Sequence, residues 1–198
     1  MSILPAIFRT TLLSVFLIST GLAAQEFEPE PPIPMANDPY VPTPQRVVDA
    51  MLAMAQIDSD DVIYDLGCGD GRMVVTAVKD FGAKQGVGVD IDPERIAESR
   101  ENAEEADVAD KTEFIEASFF DVDFSDATVM ALYLLPDTLE KLRPEFEAQL
   151  EPGTRIVTHD FRIAGWEPVA EKQVPTPEDA VSSGTIYLWE VPEKDAGT

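Results

Sequence analysis

One cysteine and one histidine occur in the 198 residues. With Cys68 alone, an internal disulfide and a zinc site built from several cysteines are both excluded. Cys68 occupies a variable position of a glycine-rich turn and reads as a small filler rather than a nucleophile. Basic residues are also scarce: 14 Lys and Arg stand against 38 Asp and Glu, for a net charge of −24. A chain this acidic is repelled by nucleic-acid phosphates, which argues against DNA or RNA as a substrate. It attracts basic peptides or cationic small molecules; a solvated acidic surface suited to a salty habitat accounts for the charge equally well. No internal repeat stands out, and the apolar run Thr11 to Leu22 is short for a membrane span.

That run nevertheless has a recognisable order. Arg9 supplies a positive start, and the small residues Gly21, Ala23 and Ala24 precede a polar, acidic stretch. Residues 1–24 are therefore expected to be a secretory signal peptide, exporting the chain to a periplasmic or extracellular location. An uncleaved N-terminal anchor is the alternative, and the only expected route to a membrane, because a strong Ala-x-Ala is missing. Residues 25–43, rich in proline and acid, suit an extended tether. A single domain is expected over residues 44–192, with a tail at 193–198; an apolar fraction of 44% is ordinary for a globular core.

The most informative segment is Asp65-Leu66-Gly67-Cys68-Gly69-Asp70-Gly71. It follows the apolar Val62-Ile63-Tyr64 and opens a helical pattern from Arg72 to Phe81, the order strand, tight turn, helix. Glycine permits positive φ and close approach of backbone to a ligand. A second acid, Asp90, closes the next apolar run, where it can accept hydrogen bonds from both ribose hydroxyls. Together they point to an adenosine-containing cofactor. Dinucleotide sites place a pyrophosphate on the turn. Here Asp65 precedes the first glycine and Asp70 lies inside the turn, so the pattern repels a pyrophosphate and suits a ligand carrying an amine and a sulfonium.

The remaining chain alternates strands and helices. Helices are expected over Pro44 to Ala55, Arg72 to Phe81, Pro93 to Ala106 and Pro136 to Leu150. Strands are expected at Asp61 to Leu66, Gly86 to Ile91, Thr112 to Ile115, Ala127 to Leu135 and Arg155 to His159. Two more, near Val169 to Val174 and Gly184 to Val191, are expected as an antiparallel hairpin at the sheet edge. The fold class is α/β: a doubly wound, mostly parallel seven-stranded sheet. Ligands of such sheets sit beyond the carboxyl ends of the strands. The site candidates are accordingly Asp65, Gly67 to Gly71, Asp90, Ser118, Tyr133 to Pro136 and His159 to Phe161. Asp92, just before Pro93, reads as a helix N-cap rather than a rival to Asp90. Tyr133 is a core or an active-site residue, and His159 a general base or a satisfied structural histidine.

The glycine motif with its flanking acids resembles the class I S-adenosylmethionine-dependent methyltransferases. The segments Asp38-Pro39-Tyr40-Val41-Pro42-Thr43-Pro44, Asp65 to Arg72, Gly88-Val89-Asp90-Ile91-Asp92-Pro93, Leu132-Tyr133-Leu134-Leu135-Pro136 and His159-Asp160-Phe161 narrow the likeness. In that order they resemble a small group containing bacterial proteins of unassigned substrate and mitochondrial protein-lysine methyltransferases. The latter act on ATP synthase subunit c and the adenine nucleotide carrier. The resemblance spans roughly Asp38 to Val191 and implies a Rossmann-like fold, S-adenosylmethionine as cofactor and a protein lysine as acceptor. It implies that Tyr40 and Thr43 fold over the cofactor held by Asp65, Gly67, Gly69, Asp70, Gly71 and Asp90, and that Tyr133 to Pro136 border the acceptor. Related enzymes carry an acid after the third strand for the adenine amine; Ser118 stands there here, with Asp121 and Asp123 as substitutes. The fourth segment lacks the Asn/Asp-Pro-Pro-Tyr/Phe signature of enzymes that methylate nucleic-acid amino groups. No metal is expected. Export away from the site of cofactor synthesis leaves two further readings open: a catalytically silent binding module, and an α/β fold for another nucleotide.

Overall fold

Residues 39–176 and 182–193 are described by the computed structural model. The expected signal segment, the tether up to residue 38 and the tail beyond residue 193 lie outside them. The chain starts helix α1 (Gln45–Met54) directly after Pro44, whose fixed φ suits a helix entry. It then alternates β1 (Val62–Leu66), α2 (Arg72–Lys79), β2 (Gln85–Asp90), α3 (Pro93–Glu105), β3 (Thr112–Glu116), β4 (Val129–Leu132), α4 (Pro136–Gln149) and β5 (Arg155–His159). Two further strands follow, β6 (Ala170–Gln173) and β7 (Thr185–Glu190). Asp92 caps α3, accepting from the backbone N–H of Glu94 at 2.8 Å, with Pro93 in the first turn.

The seven strands form one sheet in the order β3-β2-β1-β4-β5-β7-β6. The first five are parallel; β7 runs antiparallel between β5 and β6, so the C-terminal hairpin completes the sheet with β6 at its edge. The strand order reverses between β1 and β4, which opens a crevice beyond their carboxyl ends.

Strand alternation sorts side chains onto two faces. Ile63, Val129, Ala131 and Val157 join α1, α2 and α3 in one apolar cluster. Tyr64, Leu66, Met130, Leu132 and Ile156 join α4, Phe119, Phe124 and Trp189 in the other. Strands β1 and β4, in the middle of the sheet, are buried on both faces, which is why they read as continuous runs. Strand β4 is shorter than the apolar run predicts: Tyr133, Leu134 and Leu135 leave the ladder after Leu132. Helix α4 continues through Pro144, which forgoes one backbone hydrogen bond inside it. At the far end of the sheet Arg155 pairs with Asp61 and donates to the carbonyls of Ala55 and Gln56 at 2.6 and 2.9 Å, pinning α1 to β5. No helix among the described residues is long and apolar enough to cross a membrane.

Candidate functional site

The turn after β1 is built by three glycines at positive φ: Gly67 at 81°, Gly69 at 54° and Gly71 at 75°. At Gly71 a Cβ would lie 2.7 Å from Ser99 and 2.8 Å from the Phe114 ring, so this glycine serves the packing of α2 against α3 and β3. At Gly69 a Cβ would lie 2.4 Å from the ring of Tyr40, which covers the turn from the strap preceding α1. The turn is stitched to β2 by Gly67 and Cys68, whose N–H groups donate to the Val89 carbonyl at 2.7 and 3.0 Å. Gly69 donates to Asp90 Oδ2 at 2.8 Å. The other carboxylate oxygen of Asp90 accepts from the Asp92 N–H at 3.0 Å.

A cavity of about 270 Å³ lies beyond the carboxyl ends of β1, β2 and β4. Of the residues singled out by sequence, Tyr40, Thr43, Asp65, Gly67, Gly69, Asp70, Asp90 and Tyr133 border it. Gly71, Ser118, Pro136 and His159 do not. Ser118 caps a short 3-10 turn, accepting from the Phe120 N–H at 3.3 Å, and its neighbour Phe119 faces the cavity instead. Asp121 and Asp123 line a separate surface depression, away from the cavity. Pro136 starts α4. His159 is wholly buried one layer below the cavity, so it cannot touch an acceptor as a general base without a rearrangement.

Charge in the cavity is lopsided. Asp65 is buried, and burial together with the charges of Asp90 and Asp70 holds its carboxyl well above the ordinary range. Burial also pushes Asp70 upward, but hydrogen bonds and charge from Arg72 outweigh it and hold that carboxyl low. Arg72 Nε reaches both oxygens of Asp70, at 2.9 and 3.0 Å, and its Nη1 donates to the Thr43 carbonyl at 3.0 Å. Asp65 and Asp90 have no such basic partner among the described side-chain contacts. Four aspartates, Asp65, Asp70, Asp90 and Asp92, line the cavity against two arginines that are already paired, Arg72 with Asp70 and Arg95 with Glu98, an excess of acid that fits a cationic ligand. The ring of Tyr40, with Arg95 stacked 4.8 Å from its centroid, forms the outer wall.

On the other side, Tyr133, just past the end of β4, meets His159 at the end of β5, and their ring centroids lie 4.2 Å apart. Tyr133 also stacks on Phe161 at 6.2 Å, with planes 14° apart. Burial and the nearby Asp160 carboxylate raise the Tyr133 hydroxyl, so it keeps its proton at neutral pH. Burial lowers His159 against an opposing pull from Asp160, leaving a neutral imidazole. Asp160 takes a left-handed φ of 62°, held by Ser183 and Thr185 donating to its carboxylate.

Arg72, Arg95 and Phe119 are the site residues that sequence reasoning left unassigned. Arg72 follows the motif directly, which was the available signal; nothing in the sequence brings Arg95 to Tyr40, and Phe119 was hidden beside Ser118.

Comparison with known proteins accords with this geometry. Residues 65–170 match the ANTKMT methyltransferase domain. A protein-lysine N-methyltransferase of Saccharolobus islandicus is 47% identical over 155 residues, covering 78% of this chain and 94% of that protein. The adenine nucleotide translocase lysine N-methyltransferase of Mus musculus is 27% identical over 151 residues, 76% of this chain and 61% of that protein. A crystal structure from Salinibacter ruber, described as an RNA methyltransferase in complex with S-adenosyl-L-homocysteine, is 48% identical with a TM-score of 0.70, covering 78% of this chain and 95% of the other. A cavity built on a glycine turn at the switch point of this sheet, and kinship across nearly the whole described domain, lead to one conclusion: the chain is a methyltransferase of the ANTKMT methyltransferase domain family.

Proposed function

We propose that the chain transfers a methyl group from S-adenosylmethionine to the side-chain amine of a lysine in a basic protein or peptide. The observation that carries this reading is the pairing of an acidic cup, Asp65, Asp70 and Asp90, with the ring of Tyr133, which borders the same cavity and is backed by Phe161. The donor supplies an activated methyl on a positively charged sulfur. Asp90 is assigned to the ribose hydroxyls, Asp65 to the cationic amine, and Tyr40 and Thr43 to closing the strap over the ligand. The backbone of Gly67 and Gly69 provides close approach.

In the reaction the amine lone pair forms the new C–N bond as the C–S bond breaks, its electrons returning to sulfur. Alignment supplies most of the acceleration, worth about 7–11 kcal/mol when both reactants are held in line. A lysine must first release a proton, since its free pKa is about 10.4. The apolar surroundings of Tyr133 and Phe161 favour the neutral amine by desolvation, and the proton leaves to solvent. The aromatic faces then hold the methylated cation.

RNA is the second reading, because the Salinibacter ruber protein is described as an RNA methyltransferase. The net charge of −24 argues for a basic protein partner over a polyanion. We also propose that residues 1–24 export the domain or anchor it to a membrane, with the stretch from residue 25 up to the strap at Tyr40–Thr43 as tether; the signal-like order of the first segment supports this. The test of the acceptor is methyl incorporation followed by mass spectrometry, offering a lysine-rich peptide and a structured RNA side by side. Mass gain of one methylene per transfer on lysine supports the reading; transfer to RNA alone overturns it.

A further inference from the structure

Thr43 is buried in the strap before α1, and its two polar groups reach in different directions. Its carbonyl accepts from Arg72 Nη1 at 3.0 Å, from the same guanidinium that clamps Asp70 in the glycine turn. Its hydroxyl lies 3.4 Å from His159 Nδ1. The buried His159 ring packs 4.2 Å from the ring of Tyr133, which borders the cavity. His159 Nε2 has no hydrogen-bond partner, and Asp160 Oδ1 lies 3.6 Å from it. That carboxylate favours the imidazole proton on Nε2, which leaves the Nδ1 lone pair to accept from the Thr43 hydroxyl. A continuous path of contacts therefore runs Asp70, Arg72, Thr43, His159, Tyr133. It joins the glycine turn to Tyr133 along the cavity wall, with the buried His159 as the link behind that wall.

We propose that Thr43 is a positioning residue that couples the two halves of the site: its hydroxyl, acting through the His159 imidazole, orients Tyr133 for the acceptor when the donor occupies the turn. The inference rests on the methyl-transfer reading of the cavity. Threonine suits the task because its branched Cβ restricts χ1 and keeps the hydroxyl aimed. Valine has nearly the same shape without the hydroxyl, and serine keeps the hydroxyl without the methyl. A coupling role and a packing role therefore rank the two substitutions in opposite orders.

His159 is the sole histidine, so labelling the full chain with ¹⁵N-histidine gives one imidazole to observe. Titration with S-adenosylhomocysteine is expected to shift the ring resonances of the unsubstituted protein and of Thr43→Ser. In Thr43→Val, at ligand concentrations that saturate the variant by calorimetry, the shift shrinks severalfold. Acceptor kcat falls about three- to tenfold in that variant, the scale of one lost hydrogen bond, while donor KM changes less. Thr43→Val behaving like the unsubstituted protein, or Thr43→Ser failing as badly as Thr43→Val, overturns the coupling. Failure of the unsubstituted protein to bind S-adenosylhomocysteine overturns the donor reading itself, and the coupling with it.

Discussion

Asp90, at the tip of β2, holds the glycine turn of β1 through one hydrogen bond, Gly69 N–H to Oδ2 at 2.8 Å. The acid thus has two jobs: it borders the cavity, and its two oxygens, accepting from Gly69 and Asp92, fix the backbone on either side of it. Asp90→Ala is expected to abolish measurable S-adenosylmethionine binding, because it removes the ribose partner and loosens the turn together. Asp90→Asn, able to keep one acceptor, should retain weak binding. Isothermal calorimetry on both variants checks the ranking.

Asp65 carries an electrostatic cost from burial and from its acidic neighbours Asp90 and Asp70. Its raised carboxyl means the folded state holds the proton more tightly than the unfolded chain does. Its contribution to stability is therefore greatest in acid and falls as pH rises from about 4, the unfolded value, through the raised folded range. Asp65→Asn should flatten that fall and raise the melting temperature of the ligand-free protein at neutral pH, while losing the ligand. Thermal melts against pH, for both proteins, give the comparison.

Ligand affinity should run the other way with pH. A cationic amine beside Asp65 favours its charged form, so binding strengthens with rising pH across the raised range and expels a proton within it. Calorimetry in buffers of different ionisation enthalpy measures that proton; uptake in place of release would contradict the placement of the amine.

Arg72 carries the opposite linkage. It keeps Asp70 charged, so its contribution is present above the unfolded carboxylate pKa and lost as pH falls through the lowered folded value. Arg72→Met is expected to cost about 1–3 kcal/mol at neutral pH, less than a fully buried pair because the guanidinium is partly exposed. The penalty should diminish in acid, measured by urea unfolding at two pH values.

Much of this was legible because each signal was local. Three glycines between a strand and a helix, an acid at the next strand tip, and Asp92 before Pro93 each encode their own geometry within a few residues. Strand β4 was read too long, because Tyr133 to Leu135 are as apolar as the strand they follow; an apolar run does not distinguish a buried strand from a buried loop that walls a cavity. Position after β3 points to Ser118, whose hydroxyl caps the next turn while Phe119 faces the cavity. The contacts Arg72 to Thr43, Arg95 to Tyr40 and His159 to Thr43 join residues 29, 55 and 116 positions apart, where no periodicity reports on them. His159 shows the same limit: a lone histidine at a strand end reads equally as a base or as a structural residue, and only the fold shows its complete burial against the Tyr133 ring.

Tyr133 divides the acceptor wall into a ring and a hydroxyl. Tyr133→Ala should lower acceptor kcat/KM by about five- to thirtyfold, the scale of a desolvated cation–π contact. Tyr133→Phe keeps the stack on Phe161 and should lose less. Steady-state kinetics with a lysine-rich peptide at saturating donor would show the order.

Titration calorimetry of the purified protein decides whether the cup formed by Asp65, Asp70 and Asp90 binds S-adenosylmethionine. One-to-one, micromolar binding is expected of the unsubstituted chain, and none of Asp90→Ala with its fold intact by circular dichroism. No binding by the folded, unsubstituted chain, or undiminished binding by the variant, would contradict that assignment.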